Sequence, residues 1–472
     1  MTDQHDAIYD CIIVGAGYSG LAAAKSLTEH GSRPRILVLE ARERVGGRAK
    51  TIHLDDGKYW DVGGSFLGVK QDLMYSLAQE YGVDVFPIPQ KGKHIFLNRG
   101  RARKYSGLIP PLRPWEVVDS GLVLQQLERL VRTIDVEAPW THSKAKAWDK
   151  TTVEEWTHRH TFTKAGRAMM DFGIQAIFGR PGRDISLLYA AFVFRTLGSV
   201  TAAFSSDGGL QQDMTKGGGT AIAERIREGI GGDQTVRLSE PVQRVKYNDD
   251  RDSHCTITTA KGEYRAKHVI FAIPPQFAMR VQFDPGLPTQ KKALLESMEL
   301  GAYCKVFATY EKPFWRDRGL RGEASNLDGY LALTFDATPP EAGSEGKLMG
   351  FVIGTRAREY ATLPDDERKR IALDELARMF GKEAQKPKAF FYHSMLHEEW
   401  SAGCPVASPP PGIMTRYGEW IRKPVGPIHW AGTETSTRFY GYMEGAVSAG
   451  QRAAQEVIEA LDLKGLGAGG TD

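Results

Sequence analysis

The sequence predicts an α/β fold, and three observations predict it. A short apolar run at the N-terminus enters a glycine-rich turn and then a helix-forming stretch. A block of short strands follows a helical middle. A last strand, turn and helix lie near the C-terminus.

The N-terminal unit reads in order. Tyr9–Val14 is apolar and bounded by glycine, as a buried parallel strand should be. Gly15-Ala-Gly-Tyr-Ser-Gly20 follows, then Leu21–Leu27, rich in strong helix formers. Gly31 and Pro34 stop that helix, and Arg35–Glu40 reads as a second buried strand. The order βαβ implies a right-handed parallel crossover.

Apolar residues at helical spacing mark helices at Val117–Ile134, Thr163–Phe178 and Ser186–Thr196. Strands return at Thr235–Leu238, Val242–Val245, Cys255–Thr258 and Val269–Ile273, and Lys305–Tyr310 follows. A polar helix is predicted at Pro364–Phe380, a rigid loop at Pro409–Gly412, a strand at Ile428–Ala431 and a helix at Gly445–Leu461. No tandem repeat is present.

Composition narrows the function. With 472 residues the chain has material for two or three domains, and 41% hydrophobic residues can build their cores. A net charge of +3 falls short of a nucleic-acid binder. The basic runs Arg99–Lys104 and Arg368–Arg370 read as solvated loop and helix surface. Cys11, Cys255, Cys304 and Cys404 form no C-x-x-C pair, which excludes a zinc or redox motif of that type and predicts a reducing, cytoplasmic setting. The acidic N-terminus lacks the basic start of a signal peptide. The longest apolar stretch, Ile185–Phe194, is too short to span a membrane. Residues 463–472 are Gly-rich and predict a flexible tail.

Gly15-x-Gly17-x-x-Gly20 is a weak signal alone, but here its whole context is present: a strand before it, a helix after it, and Glu40 ending the next strand about 20 residues on. This is the Rossmann-type dinucleotide fingerprint. Gly15 permits the turn, Gly17 lets backbone approach a pyrophosphate, and Gly20 lets the helix pack on the strand. The helix N-terminus offers free N–H groups to phosphate, and Glu40 would accept from the adenosine ribose. Gly465–Gly470 also fits G-x-G-x-x-G, but no helix can follow it. The fingerprint does not choose between NAD and FAD. Glu40-Ala-Arg-Glu-Arg-Val-Gly-Gly-Arg48 does, because its extra glycines and arginines suit a second phosphate-linked half, with Arg48 within reach of the pyrophosphate.

Ile13–Gly20, Val38–Arg48 and Asp61-Val-Gly-Gly-Ser65 together resemble the flavin amine oxidases, and within them the monoamine oxidases. Ala138-Pro-Trp140, Lys216–Gly219 with Glu224-Arg-Ile226, Lys312–Arg316, Ala431–Ser436 and Gly441–Ala446 extend the resemblance over nearly the whole chain. It implies a discontinuous FAD-binding domain (1–90, 215–295, 398–462) and a mixed-sheet and helical substrate domain (91–214, 296–397). It implies FAD contacts from Gly15, Gly17, Ser19, Gly20, Glu40, Arg42, Gly47, Arg48, Gly64, Ser65, Val242, Gly432, Thr433, Glu434 and Met443. Cys404, in Trp400-Ser-Ala-Gly-Cys404, matches the cysteine joined to the flavin by a thioether. Lys305 matches the lysine that holds a water by the flavin, and Tyr442 one wall of an aromatic cage for the amine; these two are the catalytic candidates. Phe66, Ile177, Phe204, Gln211, Leu333 and Pro405 match the substrate pocket, with Ala176 beside them. No metal is implied.

Two departures matter. Pro405 stands where the family usually has the second cage tyrosine, and Met395 where it often has a flavin-flanking tryptophan. Both open space over the flavin, so the expected substrate is a bulky or long-chain primary amine. The implied reaction is oxidative deamination to an aldehyde or ketone, with ammonia and hydrogen peroxide released. The expected partners are the amine and dioxygen, with neither nucleic acid nor a membrane anchor; a homodimer is left open. Rival readings are a polyamine or L-amino-acid oxidase, a flavin desaturase, and a flavin-binding scaffold without turnover. An amino-acid oxidase needs an arginine for the substrate carboxylate, and the sequence places none in the pocket.

Overall fold

The computed structural model describes residues 8–107, 109–203, 208–248, 254–341 and 343–468; Phe204 lies outside them. The predicted N-terminal unit forms as strand Ile8–Val14, helix Tyr18–Glu29 and strand Ile36–Leu39. Ile8–Val14 sits centrally in a large sheet, parallel to Ile36–Leu39 on one side and to Gly262–Phe271 on the other. Ile428–Trp430 pairs parallel with Gly262–Phe271, while Cys255–Thr259 and Val242–Lys246 add an antiparallel wing. One sheet is thus assembled from three separated parts of the chain. Parallel strands buried on both faces need apolar side chains throughout, and Cys11, Ile12, Ile13 and Val14 supply them.

Helix Tyr18–Glu29 packs against the final helix, Met443–Ala468. A Cβ on Gly450 would stand 2.1 Å from the Ser19 carbonyl, so the contact is backbone against backbone. The final helix passes the predicted end at Leu461. Residues 463–468, read from sequence as flexible tail, are helical, because the glycines there continue an established helix rather than starting one.

A second sheet has the strand order Ala389–Ser394, Tyr303–Tyr310, Gly346–Ile353, Leu331–Asp336, Leu320–Asn326, Lys93–Asn98, Arg101–Tyr105. The basic run Arg99–Lys104, read as loop, enters this sheet as an edge hairpin, although its side chains are exposed as expected. One face packs on the helix Asp365–Phe380 through a core that includes Trp315 and Tyr360. The other faces a helical layer, Pro114–Val131, Lys164–Phe178 and Leu187–Thr196. Thr163 and Ser186 cap two of these helices, each accepting a backbone N–H three residues on (2.9 and 3.1 Å), which fixes their starts. A cavity of about 940 Å³ lies between this sheet, the helices and the glycine-rich turn of the first sheet.

Candidate active site

The first end of the cavity is built from glycine backbones. Gly15 has φ +102°, and a Cβ on Gly20 would sit 1.8 Å from the Gly15 carbonyl oxygen, so no other residue fits at Gly20. A Cβ on Gly47 would come within 3.2 Å of Gly17 Cα. Gly15, Gly17 and Gly47 all line the cavity, as do Ser19, Gly64, Ser65, Gly432, Thr433 and Met443. Ser19 Oγ accepts the Gly432 N–H at 2.8 Å and ties the last strand to the first helix. Glu40 Oε2 accepts Ala16 N–H at 2.7 Å, and Oε1 accepts both Arg42 N–H at 2.9 Å and Arg42 Nη1 at 3.2 Å, which leaves the second Oε2 lone pair for a ligand hydroxyl. Arg42 donates to Trp400 O at 2.5 Å and Ser401 Oγ at 2.8 Å, while its buried Nε has no partner among the described residues. A cradle closed to side chains beside an unused buried donor fits the diphosphate and ribose of a dinucleotide.

Three expected contacts lie off the cavity wall, Gly20 behind Gly15 and, further away, Glu434 and Val242. Arg48 lines the cavity, but its guanidinium grips Glu434 through Nη1–Oε1 at 2.5 Å and Nη2–Oε2 at 2.8 Å, and donates to Pro405 O at 2.8 Å. Glu434 stands behind Arg48, off the cavity wall, and also accepts Ala407 N–H at 3.1 Å. Val242 begins the antiparallel wing and packs on the core beneath the first sheet, away from the lining.

Lys305 is buried at the middle of the site. Its Nζ donates to Asp61 O at 2.9 Å, Gly63 O at 2.6 Å and Ser65 Oγ at 2.5 Å, and lies 4.9 Å from the centre of the Phe351 ring. Burial pulls the Lys305 pKa down to about 8, against the pull of the nearby Asp61. Burial likewise raises the Asp61 carboxyl. All three ammonium donors are used, so a water held by Lys305 must displace one partner, and the Ser65 hydroxyl is the movable one.

Cys404 is half-buried and lines the cavity beside Pro405, joined to it by a cis peptide bond. Burial pushes its thiol up to about 12. Tyr442 and Met395 line the same chamber. Tyr442 is fixed through its backbone, its N–H donating to Phe439 O and its carbonyl accepting Thr433 Oγ1, both at 3.0 Å. Phe66, Ala176, Ile177, Gln211 and Leu333 also line the cavity.

Against this geometry, a family model for flavin containing amine oxidoreductase matches residues 18–458. The chain belongs to the flavin-containing amine oxidoreductases. Membership makes it an oxidoreductase and implies FAD as its cofactor. AofH of Mycobacterium tuberculosis is 39% identical over 452 residues, covering 96% of this chain and 97% of its own. The flavin-containing amine oxidase B of Sus scrofa is 34% identical over 457 residues, 96% of this chain and 86% of its own. Among solved structures, cyclohexylamine oxidase from Brevibacterium oxydans IH-35A superposes with a TM-score of 0.91 at 31% identity, covering 97% of this chain and all of that one.

The amine oxidase fold reveals lining residues that sequence reasoning missed. A row of paired residues crosses the second sheet: Lys305 opposite Phe351, Phe351 opposite Leu333, Leu333 opposite Ser325, Ser325 opposite Phe96. All five line the cavity. Four strand steps of about 4.8 Å make the row roughly 19 Å long. Its far end is polar. Buried Arg321 donates to Gln90 Oε1 at 2.7 Å and pairs with Glu323 at 2.8 Å, and His94 Nδ1 lies 3.3 Å from the other Glu323 oxygen. Alternation along 321, 323 and 325 was the available signal, but only the sheet order shows which face those residues share.

Proposed function

We propose that this amine oxidase deaminates a bulky or long-chain primary amine. The observation that carries the reading is the largely apolar row from Lys305 to Phe96, far longer than a small arylalkyl amine requires. Gly15, Gly17, Ser19, Glu40 and Arg42 would hold the adenosine diphosphate half of FAD. Gly64, Ser65, Gly432, Thr433, Cys404 and Met443 would hold its flavin half. When bound, FAD supplies two-electron oxidation of the amine, with dioxygen as final acceptor and hydrogen peroxide, ammonia and an aldehyde or ketone as products. Phe66, Phe335, Phe351 and Leu333 present an apolar wall that favours the uncharged amine, since an unpaired ammonium is costly to bury. Tyr442 offers one ring face to the amine nitrogen, and Pro405 offers none opposite it. Lys305 can hold or release a proton near neutral pH. Cys404 is assigned as the point of covalent flavin attachment, because Cys404 lines the cavity beside Met395 and Pro405.

The L-amino-acid reading needs a cation next to the reacting carbon. Arg42 and Arg48 are engaged by the frame of the proposed cofactor end, and Arg321 sits three strands from Lys305 and displaced along its strand from the row, more than about 14 Å away. A polyamine reading draws on Glu323, but Arg321 already pairs with that carboxylate at 2.8 Å. The test is anaerobic mixing with a panel of small arylalkyl, bulky and long-chain amines. Bleaching of the flavin absorbance should be fastest for the long or bulky amines. A wide advantage for benzylamine would overturn the substrate reading.

A further inference from the structure

The far end of the cavity wall carries groups that the deamination does not use. Gln90, His94, Arg321 and Glu323 line the cavity, as do Phe96 and Tyr105. The backbone holds them together. A Cβ on Gly92 would stand 2.8 Å from the Leu320 carbonyl carbon, so the segment from Gln90 to His94 lies directly on the strand that carries Arg321 and Glu323. The His94 ring stacks on Tyr105, with centres 4.9 Å apart and planes 26° from parallel.

An arginine can only donate, and this decides how its neighbours point. Arg321 Nη2 donates to Gln90 Oε1 at 2.7 Å, so the amide oxygen faces the guanidinium and the amide nitrogen faces away. That nitrogen, Nε2, is buried and has no partner among the described residues. His94 Nε2 lies 3.4 Å from Arg321 Nη1 and must accept, which leaves the ring's N–H at Nδ1, 3.3 Å from a Glu323 oxygen. The other Glu323 oxygen pairs with Arg321 at 2.8 Å. One positive and one negative charge therefore meet, and they cancel. What remains is an uncharged donor, and leaving a buried donor unmet costs about 1–3 kcal/mol.

We propose that this end of the cavity is a subsite for an uncharged hydrogen-bond acceptor, held by Gln90 Nε2. The substrate it selects is a long-chain primary amine with an amide carbonyl at its far end. A free ammonium there would meet the Arg321 guanidinium and find Glu323 already paired, and a carboxylate would be repelled by Glu323. A plain alkyl end would leave the amide nitrogen unmet. The span suits the role. Arg321 stands three strands and more than about 14 Å from Lys305, and an extended chain advances about 1.2 Å per bond, which puts the carbonyl roughly ten bonds or more from the amine. Phe351 and Leu333 make the strands between them apolar on the cavity side. The choice of substrate rests on the long-chain amine reading above; the capture of an acceptor by Gln90 does not.

The test uses the full chain with its flavin and a set of amines of equal length: the monoacetylated α,ω-diamine, the free diamine, the ω-amino acid and the plain alkylamine. The monoacetylated diamine should have the highest kcat/KM, about tenfold above the alkylamine. Gln90→Leu should bring that ratio close to one. Gln90→Glu, of the same shape, should turn the preference towards the free diamine. Circular dichroism of both variants should match the unsubstituted protein. Calorimetry with an N-alkylacetamide of that length, which has no amine to oxidise, reads the subsite without turnover, and affinity should fall about tenfold in Gln90→Leu. A ratio near one in the unsubstituted protein overturns the proposal and needs no variant to fold. So does a ratio that survives Gln90→Leu, or first place for the free diamine or the amino acid. If benzylamine outruns all four while the calorimetric difference holds, the long-chain reading fails and the subsite stands.

Discussion

Lys305 Nζ donates to Ser65 Oγ at 2.5 Å, joining two residues 240 positions apart in the chain. With Asp61 O and Gly63 O completing the set, a buried cation is held by one short loop of the first sheet's half of the molecule. Burial outweighs those acceptors and lowers the amine's pKa to about 8, so its proton is sensitive to pH close to neutrality.

Lys305→Met should slow turnover about a hundredfold while leaving flavin bound. It should also remove a pH dependence. The folded-state pKa is lowered from 10.5 to about 8, so the folded protein loses this proton before the unfolded chain does. Stability of the unsubstituted protein relative to Lys305→Met should therefore rise between pH 8 and 10.5 and stay level below 8. Thermal melts of both proteins across that range check the sign.

Glu434→Gln leaves the Arg48 guanidinium without its buried carboxylate. Breaking such a pair costs about 3 kcal/mol or more. Urea unfolding should show that loss, with weaker flavin retention.

Gly20→Ala places a methyl on the Gly15 carbonyl. The absorbance ratio of flavin to protein after purification should fall to near zero. A yellow Gly20→Ala protein with normal stability would refute the cradle.

Cys404→Ala should convert the flavin from acid-resistant to acid-extractable. Precipitation with trichloroacetic acid reads this directly: colour stays in the pellet for the unsubstituted protein and moves to the supernatant for the variant. Colour in the supernatant for both would show that Cys404 carries no link.

Pro405→Tyr would add a ring to the cavity wall that also carries Tyr442. It should improve kcat/KM for benzylamine about fivefold through ring–amine attraction, and lower it for a long-chain amine by narrowing the chamber. A steady-state panel measures both.

Local chemistry was legible in the sequence, and long-range pairing was not. Gly15, Gly17, Gly20 and Glu40 could be read because each answers a constraint set within a few residues of itself. Lys305 and Tyr442 were found by resemblance, and the structure brings both to one cavity. The role of Glu434 as the brace of Arg48 was hidden, because the two lie 386 residues apart. Val242 carries a strand pattern, but which side of the wing faces the cavity depends on the neighbouring strands. The polar cluster of Arg321, Glu323 and His94 was invisible for a similar reason: two of its members sit on a strand that pairs in parallel with the strand of the third, from a distant part of the chain. The hairpin at Arg101–Tyr105 looked like loop because an edge strand with charged side chains on both faces has no alternation to detect.

The packing of Met443–Ala468 on Tyr18–Glu29 has a consequence for how the molecule is made. The ribosome delivers the glycine turn first, but its helix finds its partner only after residue 443 has been synthesised. Until then the face of Tyr18–Glu29 that meets the final helix stands uncovered, and the Ser19–Gly432 clasp cannot close. The nucleotide cradle is thus finished last although it is started first, and a message cut short by even these final turns should yield a colourless, aggregation-prone chain.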